Sequence, residues 1–285
     1  MAVLLAVTVM SVMVVAVSAL VRSGISSQRV ETKILATRYA LLSGLEGAEA
    51  LILSTPPEER VFLDATAETI NVGNGVQLNV SIRDAAGLAD INRSDLALIE
   101  ALLAENLDPA AAEDIAGRIA SLREQAAAGK DQGTGTTAAD GPVQKVSNGP
   151  KAPVVFQAVE QLLAMTEPEA AQPLAAYLTV YNPTGLLNPL AAPEEVLAAV
   201  PGMTGADLRL IKGVRKSRAW EADMGFKSLL ERLKPFLAVA PPSIFVIEVE
   251  VQDGQGLIRQ SNVGAMIQLN VDGPQPFRTL WISEL

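Results

Sequence analysis

Five basic side chains, Arg209, Lys212, Arg215, Lys216 and Arg218, fall close together after Pro201-Gly202-Met203. A helix, a short glycine-bearing turn and a basic helix form a unit that can hold phosphates, because backbone amides at such a turn point outward. Glycine supplies the backbone conformation that a Cβ would oppose. The chemistry on offer is therefore a phosphate site, against the plainer reading of a solvated or partner-facing helix. The chain as a whole argues against the first, with 22 basic and 32 acidic residues and a formal charge of −10. Broad nucleic-acid binding draws on Lys and Arg to displace counterions. The acidic pairs Glu58-Glu59, Glu113-Asp114 and Glu194-Glu195 are consecutive in sequence. They point to different sides of a helix, as acids at the positive end of a helix dipole do, and make no paired acid/base site. The chain has no Cys and no His. That excludes disulfides, thiolate metal sites, cysteine nucleophiles and imidazole-based catalysis. No P-loop and no dinucleotide fingerprint occurs, so no catalytic or cofactor-binding residue is assigned.

The elements that carry these residues begin with an apolar run. No charged side chain precedes Arg22. Residues 1–22 are long enough to cross a bilayer as a helix, and Thr8, Ser11 and Ser18 can return their hydroxyls to its backbone. Val17-Ser18-Ala19 also loosely fits a signal-peptide cleavage site. The length of the run, the lack of a basic leader and the continuing helical pattern favour an uncleaved span. Ile34, Leu41, Leu45, Ala48 and Ile52 extend it as one apolar stripe. Arg22, Arg29 and Lys33 follow the span, which read naively puts the body in the cytoplasm.

Thr55-Pro56-Pro57-Glu58 reads as a capping box opening a helix. Val76, Leu78, Val80 and Ile82 then alternate with polar residues as a half-buried strand. Residues 88–237 have a helical texture. Asp108-Pro109, Thr166-Glu167-Pro168-Glu169 and Pro193-Glu194-Glu195 read as helix starts. An internal echo pairs Ile91-Asn92 and the helix from Leu96 with Leu187-Asn188 and the helix from Glu194. Each copy then passes through a turn to a second helix, 110–122 and 206–216, and a third helical pair is expected over 156–177. Residues 125–153 read as a flexible loop. Three strands close the chain: one through Ile247, Val249 and Val251, one within 257–271, and one over 277–283. The fold class is α+β: a long N-terminal helix packed on a small antiparallel sheet, with a large all-helical insert that looks SAM-like or helix-hairpin-helix-like. The expected divisions are 1–22, 23–87, 88–237 and 238–285.

This order of parts resembles the K-type minor pseudopilin of the bacterial type II (general) secretion pathway. Four stretches carry the resemblance: the N-terminal helix through Leu45-Glu46-Gly47-Ala48-Glu49-Ala50; Gly87-Leu88-Ala89-Asp90-Ile91-Asn92; Lys151-Ala152-Pro153-Val154-Val155-Phe156 with Val159-Glu160-Gln161-Leu162-Leu163; and Tyr177 to Tyr181 with Leu187-Asn188 and 192–202. Most pilin-like subunits carry a glutamate at the fifth mature position, and K-type subunits are similar in lacking it. Leu4, Leu5 and Ala6 stand there, which suits a subunit at a filament end because a glutamate in lipid is costly unless paired.

The resemblance implies a single-pass inner-membrane protein with a cytoplasmic N-terminus and a periplasmic body, and a basic leader upstream of Met1. It implies a place at the pseudopilus tip with I- and J-type minor pseudopilins, supporting export of folded proteins and touching secreted substrates. Helix association there uses small residues, for which Ala2, Ala6, Ala16, Ala19 and Gly24 qualify. Relatives can bind calcium, yet no EF-hand spacing occurs, and Asp253 and Asp272 read as turn formers. The alternative is a membrane-anchored helix-hairpin-helix DNA-binding or uptake protein, with Arg209 to Arg218 as its phosphate-facing helix.

Overall fold

The computed structural model describes residues 2–73, 76–131, 154–166, 173–253, 262–270 and 275–284. Helix α1 spans Ala2–Ser54, 53 residues, or about 80 Å at 1.5 Å per residue. Most of its side chains before Gln28 lie outside the described residues. Among the described residues no helix is long and apolar enough to cross a membrane.

Among the described residues only the C-terminal part of α1 meets the sheet. Ala40, Ala48 and Ile52 are buried there, with Leu41, Leu45 and Leu51 partly so. Ile34 belongs to the same stripe by spacing but is exposed, because every described side chain from Gln28 to Ala36 stands clear of the sheet. Gly44 marks the closest approach: a Cβ there would lie 2.5 Å from Cγ1 of Val249. Thr55 closes α1 and opens no new helix. Its N–H and its hydroxyl both donate to the carbonyl of Leu51, at 2.9 and 2.8 Å. A 3-10 turn, Arg60–Phe62, follows.

The sheet has five strands in the order β1-β2-β5-β6-β7, each pair antiparallel. They are β1 (Asp64–Gly73), β2 (Val76–Asp84), β5 (Ile244–Asp253), β6 (Asn262–Leu269) and β7 (Phe277–Glu284). The expected strand at 76–83 and the three closing strands are present. Strand β1 was not expected. It is an edge strand with register breaks between Asp64 and Ala67 and between Asn71 and Gly73. Leu78, Val80 and Ile82 of β2 and Phe245, Ile247, Val249 and Val251 of β5 turn toward α1 and form its core.

The insert occupies the connection between two paired strands. Asp84, where the chain leaves the sheet, lies across from Phe245, where it has just returned. Two short parallel strands, β3 (Ala89–Asp90) and β4 (Leu178–Thr179), lie within it, with these helices of defined bounds: α2 (Leu96–Asn106), α3 (Pro109–Asp131), α4 (Glu160–Leu163), α5 (Glu194–Ala198), α6 (Gly205–Ser217) and α7 (Met224–Arg232). They enclose a second hydrophobic core, with Ile99, Leu102, Leu103, Ile119, Leu162, Val196 and Phe226 fully inside.

The local signals hold in part. Asp108 accepts from the N–H groups of Ala110 and Ala111 at 3.0 and 3.2 Å, so it caps α3. Pro193 stands at the N-cap of α5. Met203 N–H donates to Val200 C=O at 3.0 Å, and Gly202 has φ +82, which closes the turn before α6. One expectation needs correction, and two fall partly outside the described residues. Helix α3 continues through Asp131, so the first part of the segment read as a loop is helical; residues 132–153 lie outside the described residues. Thr166 sends its hydroxyl back to Leu163 at 2.8 Å, and the rest of its expected capping box lies outside the described residues. Over 156–177 the described residues hold the single turn of α4 and a helical piece at 173–175, and residues 167–172 lie outside the described residues.

Candidate functional site

The face of α1 turned away from the sheet carries large apolar side chains. Leu35 (53% exposed), Tyr39 (68%), Leu42 (45%) and Leu53 (47%) lie on it. With Glu46 and Glu49 they recur at alternating steps of four and three residues, which lines one side of a helix as a seam for a second helix. Scattered exposed apolar residues are ordinary, but a row at this spacing has the form of a contact surface. Glu46 raises the pKa of Glu49, after the larger effect of burial. Leu4, Leu5 and Ala6 lie in α1 upstream of this seam, and their side chains are outside the described residues.

A set of buried polar side chains fixes the insert to the sheet. Asn188 is at its centre. Its Nδ2 donates to Val61 C=O at 3.0 Å and to Oδ2 of Asp84 at 2.9 Å. Its own N–H donates to Ala86 C=O at 2.7 Å. Leu187 beside it exchanges backbone hydrogen bonds with Phe236 and Ala238, near the insert's exit. One dipeptide thus joins the segment after α1, the insert's start and its end. Burial pushes the Asp84 carboxyl up to about 6, against the hydrogen bonds from Asn188 and Ala86. Buried groups of this kind persist only when their hydrogen bonds are made.

A second set lies inside the insert. Oδ1 of Asp90 accepts from Asn92 N–H at 2.8 Å, and its Oδ2 from Asn182 N–H at 2.9 Å. Burial raises the Asp90 pKa as well. Asn92 clasps residues 155–156: its Oδ1 accepts from Val155 and Phe156, and its Nδ2 donates to Phe156 C=O. Composition gave no hint of this side-chain clasp, although Asn92 and Asn188 both stood out as part of the echo.

The basic helix α6 is largely engaged within the chain. Arg215 is half-buried and donates to the carbonyls of Pro189 and Ala192. Desolvation lowers its pKa. Lys212 pairs with Glu194 at 2.7 Å. Arg218 pairs with Glu59 at 3.1 Å and lies over the ring of Phe62. Arg209 and Lys216 are exposed on the same helix. The structure therefore does not assemble the five cations into one outward face. Among the described residues no group of three or more acidic side chains converges as a metal site. Asp272 and the side chain of Asp253 lie outside them.

No protein-family model matches this sequence, and no curated protein matches it. Among solved structures it is similar to a chain of the crystal structure of the GspK-GspI-GspJ complex from the enterotoxigenic Escherichia coli Type 2 Secretion System. The likeness has a TM-score of 0.50 at 16% identity and covers 89% of this chain and 99% of that one. The chain shares the fold of that component of the complex.

Proposed function

We propose that the protein is a K-type minor pseudopilin of a type II secretion system, assembling with I- and J-type subunits at the pseudopilus tip. One observation carries the reading: α1 is docked on the sheet along one face only, and its opposite face holds the exposed seam Leu35, Tyr39, Leu42 and Leu53. A chain with this fold and a half-covered helix is built to pack against other helices. The similar chain was itself solved in a GspK-GspI-GspJ complex, which supports partners of that kind.

In this reading residues 1–22, with no charged side chain before Arg22, hold the subunit in the inner membrane, with the body in the periplasm. On extraction into the filament, the same helix joins the bundle formed by its neighbours. The insert sits above the sheet and stops further addition, so the subunit caps or initiates the tip and supports export of folded proteins. Membrane fractionation of the full chain tests the anchor. Recovery with the inner membrane, resistant to alkaline carbonate, is expected; recovery in the soluble fraction contradicts it.

A further inference from the structure

The sheet face turned away from α1 is only partly covered by the insert, and a cleft of about 710 Å³ runs between them. Val246, Met266 and Trp281 give it an apolar floor, and Val159 and Leu163 face them from the insert. Three features of this cleft point the same way.

The first is Gly264. It sits within β6, across from Glu248 on one side and Ser283 on the other, and lines the cleft. A glycine inside a strand weakens it and marks a place where another backbone comes close. The second is Arg83. Its Nη1 donates to Ala176 C=O at 3.3 Å, while its buried Nε has no hydrogen-bond partner among the described residues. Such a donor calls for an acceptor such as a peptide carbonyl. The third is charge. Glu160, Glu248 and Glu250 are exposed along the cleft, and Arg83 is the one basic residue among its described lining. Like charges across an interface exclude anionic partners and select cationic ones.

We propose that this cleft binds an extended peptide segment with aliphatic side chains between basic residues. Its backbone crosses Gly264, a carbonyl accepts from Arg83, and its basic side chains reach Glu248 and Glu250. The proposal is independent of the assembly reading, since it uses the face of the sheet opposite α1.

The test uses the full chain in a nonionic detergent and two dye-labelled peptides, acetyl-Lys-Val-Leu-Val-Lys-amide and acetyl-Glu-Val-Leu-Val-Glu-amide, followed by fluorescence anisotropy. Saturable binding of the lysine peptide alone is expected. The double variant Glu248→Lys/Glu250→Lys should weaken it by at least about tenfold. Gly264→Val should abolish it; because Gly264 is itself buried, the unfolding midpoint is measured alongside, and the double variant, at exposed positions, decides the outcome if that midpoint falls. Equal binding of both peptides, binding of neither, or binding unchanged in the double variant overturns the proposal.

Discussion

Arg123 and Arg215 hold the same two places in two copies of one structural unit. Arg123 donates to the carbonyls of Ile91 and Ser94, one and four residues beyond Asp90. Arg215 donates to those of Pro189 and Ala192, one and four residues beyond Asn188. Asp90 and Asn188 each accept from the N–H two residues on, and their carbonyls each accept from the N–H groups three and four residues on. The residue before each makes a parallel bridge, Ala89 to Leu178 and Leu187 to Leu237. A helix then starts at the sixth residue of each copy, after Asp95 and after Pro193. In both, a guanidinium from the second helix collects carbonyls that the turn before the first helix cannot satisfy.

Removing either guanidinium leaves half-buried carbonyls without donors. Arg123→Ala and Arg215→Ala should each destabilise the chain by about 2–4 kcal/mol. Lysine offers one ammonium where the planar fork reaches several oxygens, so Arg→Lys should recover less than half of the loss. Denaturant unfolding of the variants checks this.

The echo was legible in the sequence, but in the wrong register. Matching the asparagines paired Asn92 with Asn188, whereas the structure pairs Asp90 with Asn188. Both side chains accept from a backbone amide, so Asp and Asn are interchangeable in that role, and identity of residue type misled. The strands with period-two alternation and the caps at Asp108 and Pro193 were also legible, because their signals are local. Strand β1 was not. It is an edge strand of Thr, Glu and Ala that needs β2 to exist, and bulges interrupt its pattern. Nor was the inward turn of Arg215: a charge on a helix reads as solvated until the carbonyls it covers are known.

Stability should depend on pH through Asp84. Its carboxyl rises from 3.8 to about 6 on folding, by burial. A raised carboxyl favours the folded state when protonated, so its contribution is complete below pH 3.8 and is lost as pH rises through about 6. A shift of that size corresponds to about 3 kcal/mol. Asp84→Asn should flatten the pH dependence of unfolding in that window. It should also lower stability near pH 4, because two amides then face each other where Asn188 donated to a carboxyl. Melting curves of both proteins between pH 3.5 and pH 7.5 give the comparison.

The docking of α1 rests on close approach at Gly44, where an added Cβ meets Val249 at 2.5 Å and Leu78 at 3.1 Å. Gly44→Val should cost about 1–3 kcal/mol by overpacking. It should loosen α1 from the sheet while leaving the insert's own core in place. Hydrogen exchange resolved by segment would show faster exchange in residues 37–54 and unchanged protection in α2 and α7.

Nucleic-acid binding through α6 would need its cations free. Three of the five are occupied within the chain, by Glu194, by Glu59 and by the carbonyls of Pro189 and Ala192. Arg209→Glu/Lys216→Glu should therefore leave the affinity for a labelled duplex at low salt as weak as in the parent chain. A filter-binding series from 20 to 200 mM salt measures it, and a steep salt-dependent loss on substitution would favour the DNA-uptake alternative.

The central claim is that the exposed seam of α1 recruits pilin-like partners. Co-expression of the full chain with the I- and J-type subunits of the proposed secretion system, followed by purification on a tag carried by this chain, tests it most directly. The account predicts that all three subunits co-purify from the parent chain, and that Tyr39→Glu/Leu42→Glu, which alters only exposed positions, folds normally and is recovered alone. Recovery of the parent chain without partners, or full co-purification by the double variant, would contradict it.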